Sequence, residues 1–202
     1  MRIRTRLLLG ALAVVALGQA TMLLVETTTA ARGLQERELA HVRSLAQYEA
    51  ASLERELGTA RAALESIARH TTTDGSHFLA VVAQRPVSAA SFNALALIDA
   101  EGFALSDVPA TPGFKGRNVS DRGYFKAVMT SGGTELSRPF IAMPVNKPAV
   151  SMATPVKSAE GSIVGIVVGT LLLDKDNLIA RVADRRIGNT GYFTLITANR
   201  TI

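Results

Sequence analysis

Apolar and polar positions change their spacing along the chain, and each change marks an element. Leu7 to Val25 is almost continuously apolar, uncharged, and polar only at Gln19 and Thr21. A helix of that length crosses a hydrocarbon core of roughly 30 Å. Arg2, Arg4 and Arg6 precede it, and no Lys or Arg follows until Arg32. The positive-inside rule therefore puts the N-terminus in the cytoplasm and the following chain outside. A cleaved signal peptide is the alternative, with an apolar core from Leu7 to Leu17 and Gly18-Gln19-Ala20 as the cleavage site. Continuation of the run through Met22-Leu23-Leu24-Val25 favours an uncleaved anchor.

From Ala30 to His70 the spacing turns helical. Leu34, Val42, Leu45, Leu53, Leu57, Ala60, Leu64 and Ile67 recur at threes and fours, with charges such as Glu36, Arg37, Glu54, Arg55 and Arg61 on the other faces. Glu65 follows Arg61 by one helical turn and forms an expected surface pair. Gly58 is the weak point. Thr71-Thr72-Thr73-Asp74-Gly75-Ser76 breaks this helix, and a shorter one from His77 to Arg85 stops at Pro86.

The spacing then suits strands. Asn93 to Asp99 reads as a buried strand, Asp99-Ala100-Glu101-Gly102 as a turn, and Phe103 to Ser106 as the returning strand. Pro109, Pro112 and Gly113 mark a loop. A helix follows, with Ser120 as its expected N-cap, Asp121 in its first turn, and Ser131-Gly132-Gly133 at its end. Short segments at Glu135-Leu136-Ser137 and Phe140 to Val145 come next, the latter an edge because Pro139 and Pro144 bound it. Asn146-Lys147-Pro148 reads as a turn, Ala149 to Val156 as a strand, and Ser158-Ala159-Glu160-Gly161 as a hairpin turn. Ser162 to Leu173 is the strongest strand, and Leu178 to Val182 starts a helix. The order predicts an α+β fold with one antiparallel sheet and helices on its faces.

Composition narrows the function. There is no Cys, so disulfide frameworks and thiolate zinc sites are excluded. The formal charge is +5, but Arg2, Arg4 and Arg6 leave 19 basic residues against 17 acidic ones in the remainder. No Lys/Arg stripe is interleaved with aromatics, so nucleic acid is not an expected partner. The histidines are His41, His70 and His77, without further ligands in metal-binding spacing. Phosphate loops and nucleophile elbows are missing, and no catalytic residue, metal or cofactor is expected.

The candidate chemistry lies at Arg122, Tyr124 and Phe125, one cation and two rings at the mouth of the central helix. A guanidinium fork suits a carboxylate and ring faces suit the body of a small ligand. The competing reading is a surface Arg beside two core aromatics. Arg117, Arg138, Lys147 and Ser151 are further candidates by position.

The ordered set of segments resembles the extracytoplasmic Cache family of bacterial membrane receptors, whose modules are PAS-like. The resemblance rests on four features. They are the anchor running into the long helix, Leu97-Ile98-Asp99-Ala100-Glu101-Gly102, Ser120-Asp121-Arg122-Gly123-Tyr124-Phe125 opening a helix, and Ala153-Thr154-Pro155-Val156 followed by Glu160 to Gly169. It implies a long helix, continuing from the membrane helix, packed on a PAS-like antiparallel sheet. It also implies a small-molecule sensor, a homodimer, and location at the bacterial inner membrane with the chain after about residue 26 outside. The implied organisation is a cytoplasmic start (1–6), an anchor (7–25), the long helix (26–70), a membrane-distal module (71–182) and the start of a membrane-proximal module (183–202). Gly188 to Ile196 is its expected opening strand. The implied whole is a longer receptor, with a diguanylate cyclase, histidine kinase or chemotaxis domain as output.

In amino-acid-sensing members an Arg-x-Trp-Tyr segment grips the ligand carboxylate. Here Arg122, Tyr124 and Phe125 stand in those places, with one hydroxyl fewer. Such members hold the ligand amine with an Asp on the last long strand, where this chain has Thr170. That departure favours a carboxylate over an α-amino acid. The rival readings are a dimerising ectodomain that senses nothing and an exported soluble binding protein.

Overall fold

The computed structural model describes residues 40–143, 145–174, 186–187 and 191–192. The chain divides into two units, Met1–Tyr48 and Glu49–Ile202. The sheet and the residues packed on it belong to the second. The expected anchor, the start of the long helix, the helix expected from Leu178 and most of 183–202 lie outside the described residues. Among the described residues no helix is long and apolar enough to cross a membrane.

Helix α1 (40–69) carries the predicted stripe from Leu53 onward, whereas Val42 is exposed and Leu34 lies outside the described residues. Ala60, Leu64, Ile67 and Ala68 are buried, with Leu53 and Leu57 packed against them. Arg61 Nε lies 3.0 Å from Glu65 Oε1, the one-turn pair expected from spacing. The helix ends where the Thr71 hydroxyl donates to the Ile67 carbonyl at 2.8 Å, which occupies one of its last orphan acceptors. Helix α2 (Gly75–Ala83) begins two residues before the expected His77, because the Asp74 carboxylate accepts from the Ser76 N–H and caps it. A one-turn helix α3 (Pro86–Ala89) follows. Proline ends what precedes it yet suits a first helical turn, so Pro86 does both.

Eight strands follow in order with one further helix. They are β1 (Ala94–Asp99), β2 (Ala104–Val108), α4 (Gly123–Ser131), β3 (Glu135–Leu136), β4 (Phe140–Ala142), β5 (Lys147–Lys157), β6 (Ile163–Leu172), β7 (Arg186–Ile187) and β8 (Gly191–Tyr192). The first six strands make one sheet in the order β2-β1-β6-β5-β3, with β4 also on β5. Every pairing in it is antiparallel. Strand β6 is central, bonded to β1 and β5 along its length, which explains its near-continuous apolar run. Strands β7 and β8 pair in a separate two-stranded sheet.

Alternation divides the sheet into two faces. Leu95, Leu97, Val167, Leu171, Val150 and Met152 pack against α1 and α2. Ile98, Ile166, Val168 and Ala153 face α4 with Val119, Tyr124, Phe125 and Val128. Each fully buried Leu, Ile or Val contributes about 1.5–3 kcal/mol. The described part of the second unit is thus a three-layer α+β arrangement, helix on sheet on helix.

Two local expectations are corrected. Ser120 does not cap α4. The N-cap is Arg122, without a side-chain bond, and Asp121 lies before the first turn. Ser120 is drawn away because its N–H and hydroxyl both reach Asn118 Oδ1, at 2.9 and 2.6 Å. That local turn outcompetes capping. The turn expected at Asn146-Lys147-Pro148 instead ends at Asn146, whose φ is +51°. Lys147 and Pro148 already belong to β5, where Pro148 pairs with Ile141 on the short strand β4. The end of α4 matches expectation, with Gly132 left-handed at φ +66°.

Candidate functional site

The β1–β2 hairpin holds the segment that carries the two arginines. Gly102 turns the hairpin at φ +92°. Its carbonyl accepts from the Val119 N–H at 2.8 Å. The Asn118 amide donates to the Glu101 carbonyl at 3.2 Å, and the Ala104 N–H donates to the Arg117 carbonyl at 2.9 Å. Residues 117–119 are therefore strapped along the hairpin, and Arg122 follows at the mouth of α4.

Beneath that strap, on the α4 face of the sheet, lies a cavity of about 60 Å³. Its base is Ala96, Ile98, Ser151, Val168 and Thr170, which register brings onto one face. Ser151 is 1 % exposed, and its hydroxyl lies 3.0 Å from that of Thr170. Arg117, Arg122, Tyr124 and Phe140 complete the lining. No carboxylate lines this cavity among the described residues, and there neither Arg117 nor Arg122 forms an ion pair. The Arg122 guanidinium instead lies 5.9 Å from the centre of the Phe140 ring, a cation–π distance. Tyr124 lies against the same ring at 5.9 Å. Burial pushes the Tyr124 phenol up to about 12, against the opposing pull of Arg122.

A second cavity of about 170 Å³ adjoins the first and shares Ala96, Phe114, Ala142, Met143 and Thr170 with it. An outer cleft of about 480 Å³ is bordered by Arg122, Tyr124, Leu136, Arg138 and Phe140. Of the residues singled out from sequence, Arg117, Arg122, Tyr124, Ser151 and Thr170 thus meet at one cavity, and Arg138 borders the cleft beside it. Phe125 packs into the core under α4 and lines none of these spaces. Lys147 borders none of them either and pairs with Asp174. Sequence reasoning missed Phe140, Phe114, Asn93 and Asp107. Alternation of Phe140 and Ala142 about an outward Ile141 was the available signal for the first.

Among the described residues no group of His, Asp and Glu side chains could hold a metal ion.

The Cache domain family model matches residues 29–202, most of the chain. The chain belongs to the Cache domain family. Solved structures agree in fold. The ligand-binding domain of the Pseudomonas fluorescens chemoreceptor CtaA, in complex with L-isoleucine, is 23% identical, with a TM-score of 0.59 over 69% of this chain and 57% of that one. The domain of the Pseudomonas aeruginosa amino-acid chemoreceptor PctC, in complex with GABA, is 18% identical, with a TM-score of 0.57 over 71% and 64%. That of PctB from the same organism, in complex with L-Arg, is 18% identical, with a TM-score of 0.58 over 66% and 52%. At these identities the likeness is one of fold. The Cache chain here covers less than two thirds of the length of each of these domains. No curated protein sequence matches it.

Proposed function

We propose that the chain is the extracytoplasmic small-molecule-binding region of a bacterial transmembrane signalling protein. Leu7 to Val25 anchors it in the inner membrane, and α1 passes ligand occupancy to a cytoplasmic output domain. Residues 71–182 form the membrane-distal module, and residues 183–202 begin a membrane-proximal one. The separate β7–β8 sheet supports that division. A homodimer along the long helix belongs to the same reading.

The observation that carries the proposal is the cavity lined by two arginines, unpaired among the described residues, and by no acid. Such a site attracts an anion, and Arg122 offers the planar fork that a carboxylate fits. The ligands of CtaA, PctC and PctB each contain a carboxylate, and each also contains an amine. The preference for a carboxylate over an α-amino acid rests on the neutral Ser151–Thr170 floor alone, and the relatives' ligands lend it no support. Signalling further requires that the ligand bind one state of the module more tightly than another.

The test is a thermal-shift screen of the full chain in detergent against organic acids and amino acids. A ligand at a hundred times its dissociation constant stabilises by about 2.7 kcal/mol. A hit that disappears in Arg122→Ala supports the reading. A hit of unchanged affinity in that variant removes Arg122 from the site. No hit favours the dimerising ectodomain.

A further inference from the structure

Four polar side chains line the second cavity, and each already has a partner in the protein. Asn93 Oδ1 accepts from the Leu172 N–H at 2.9 Å, and Asp107 Oδ2 accepts from the Thr111 N–H at 2.7 Å. The Thr111 hydroxyl donates to the Pro109 carbonyl at 3.3 Å, and the Thr170 hydroxyl lies 3.0 Å from that of Ser151. What the cavity has left to offer is apolar surface. Met143 and Val145 both line it and are 46 % and 48 % exposed, a large apolar area left to water. Phe114, Ala142 and Met143 line the first cavity as well, so an apolar wall continues from one space into the other. A hydrocarbon laid along that wall removes its surface and the wall's from water together.

Charge restricts what such a ligand can carry. The first cavity, at about 60 Å³, suits a carboxylate head, and Arg117 and Arg122 line it. An ammonium on the adjoining carbon would enter beside two guanidinium groups, with no acid lining that space among the described residues. Asp107 stands at the other end. It pairs with Ala96 and lines the second cavity but not the first. A second carboxylate carried into that space would meet a like charge. The outer cleft is the alternative course for a tail, but Asp121, Ser137 and Arg138 line it and would be desolvated by a hydrocarbon.

We infer that the site takes a monocarboxylate with an uncharged hydrocarbon tail, and that the second cavity is the pocket for that tail. The inference rests on the reading of Arg122 as carboxylate anchor. It adds the class of ligand, and it assigns Asp107 to turning diacids away.

The experiment is calorimetric titration of the full chain in detergent, with detergent alone as the blank. The probes are the straight-chain monocarboxylates from propionate to hexanoate, together with norleucine and adipate, the α-amino acid and the diacid of hexanoate's length. Affinity should climb about fourfold with each methylene, the increment of a buried CH₂. Hexanoate should bind at least about tenfold more tightly than norleucine or adipate, the scale of one charged contact. Ala94 is half-buried and lines the second cavity alone of the three spaces. Ala94→Leu should flatten the climb and leave propionate binding as it was, which also shows that the variant is folded. Ala127→Leu, which narrows the outer cleft, should change neither. Asp107→Asn keeps an oxygen for the Thr111 N–H and should bring adipate up towards hexanoate. A flat series, a climb that survives Ala94→Leu or is lost in Ala127→Leu, norleucine or adipate binding as tightly as hexanoate, or no binding at millimolar concentration would each overturn the inference. Should Ala94→Leu lose propionate as well, the adipate gain in Asp107→Asn decides, and its absence overturns the inference. Failure of the underlying reading looks different, because Arg122→Ala would then bind the whole series unchanged.

Discussion

The Thr134 hydroxyl donates to Glu65 Oε1 at 2.7 Å, across 69 positions of sequence. The same hydroxyl lies 2.9 Å from that of Thr154, so Thr154 donates to it. Thr134 directly follows the glycines that end α4, Glu65 lies on α1, and Thr154 on β5. Three side chains thus connect the helix at the cavity, the sheet, and the helix on the opposite face.

This triad has a pH signature. The Thr134 bond, followed by the Arg61 bond, holds the Glu65 carboxyl below its ordinary range. A carboxyl depressed in the folded state stabilises the protein above its unfolded value of about 4.3, and that contribution is lost as pH falls through the lowered folded value. Glu65→Gln should therefore flatten the decline in melting temperature on acidification below about pH 4.3. An unaltered acid slope would show that the bond contributes nothing.

Replacing the other partner tests packing at neutral pH. Thr134→Val removes both bonds and leaves the buried Thr154 hydroxyl without this acceptor. The expected loss is about 1–2 kcal/mol of unfolding free energy, read by urea denaturation.

Tyr124 reports on the cavity at the alkaline end. Its phenol is raised to about 12, chiefly by burial. A raised folded value means that stability, full below the unfolded value of about 10, falls as pH climbs towards 12. In an ultraviolet titration the step near 12 should be absent from Tyr124→Phe, and that variant should lose less stability over the same window.

Gly102 is the hinge of the strap that places Arg122. It sits at φ +92°, and an added Cβ would come within 2.6 Å of the Ser120 Cβ. Gly102→Ala combines backbone strain with a clash and should cost about 2 kcal/mol or more. Carboxylate binding should weaken along with stability, which separates this position from a purely remote core defect.

Thr170→Asp places an acid beside Ser151 at the base of the first cavity. An α-ammonium would then gain a charge-assisted partner worth about 1.5–3 kcal/mol. Titration should show α-amino acids binding about ten- to a hundredfold more tightly than to the unaltered chain. No gain would place the ligand away from Thr170.

The strands, the hairpin turns and the Arg61–Glu65 pair were legible because each depends on neighbours in sequence. Apolar spacing marked the α1 stripe, and Gly102, Gly132 and Gly161 marked reversals that need a left-handed residue. The start of α4 was misread for a local reason too, since Asn118 offered Ser120 a nearer partner than the helix did.

Two choices belonged to the tertiary structure alone. One was which candidates share a space. Register across β1, β6 and β5 brings Ala96, Thr170 and Ser151 to one cavity and leaves Lys147 to Asp174, while the packing of α4 on the sheet takes Phe125 into the core. The other was the acid at the second cavity, because Asp107 meets it only through pairing with Ala96. Sequence by itself determined the elements, the family resemblance and the arginine at the mouth of α4, since turn chemistry and periodicity act over a few residues. Which charges face one another was decided by strand order and register, which join positions that sequence keeps tens of residues apart.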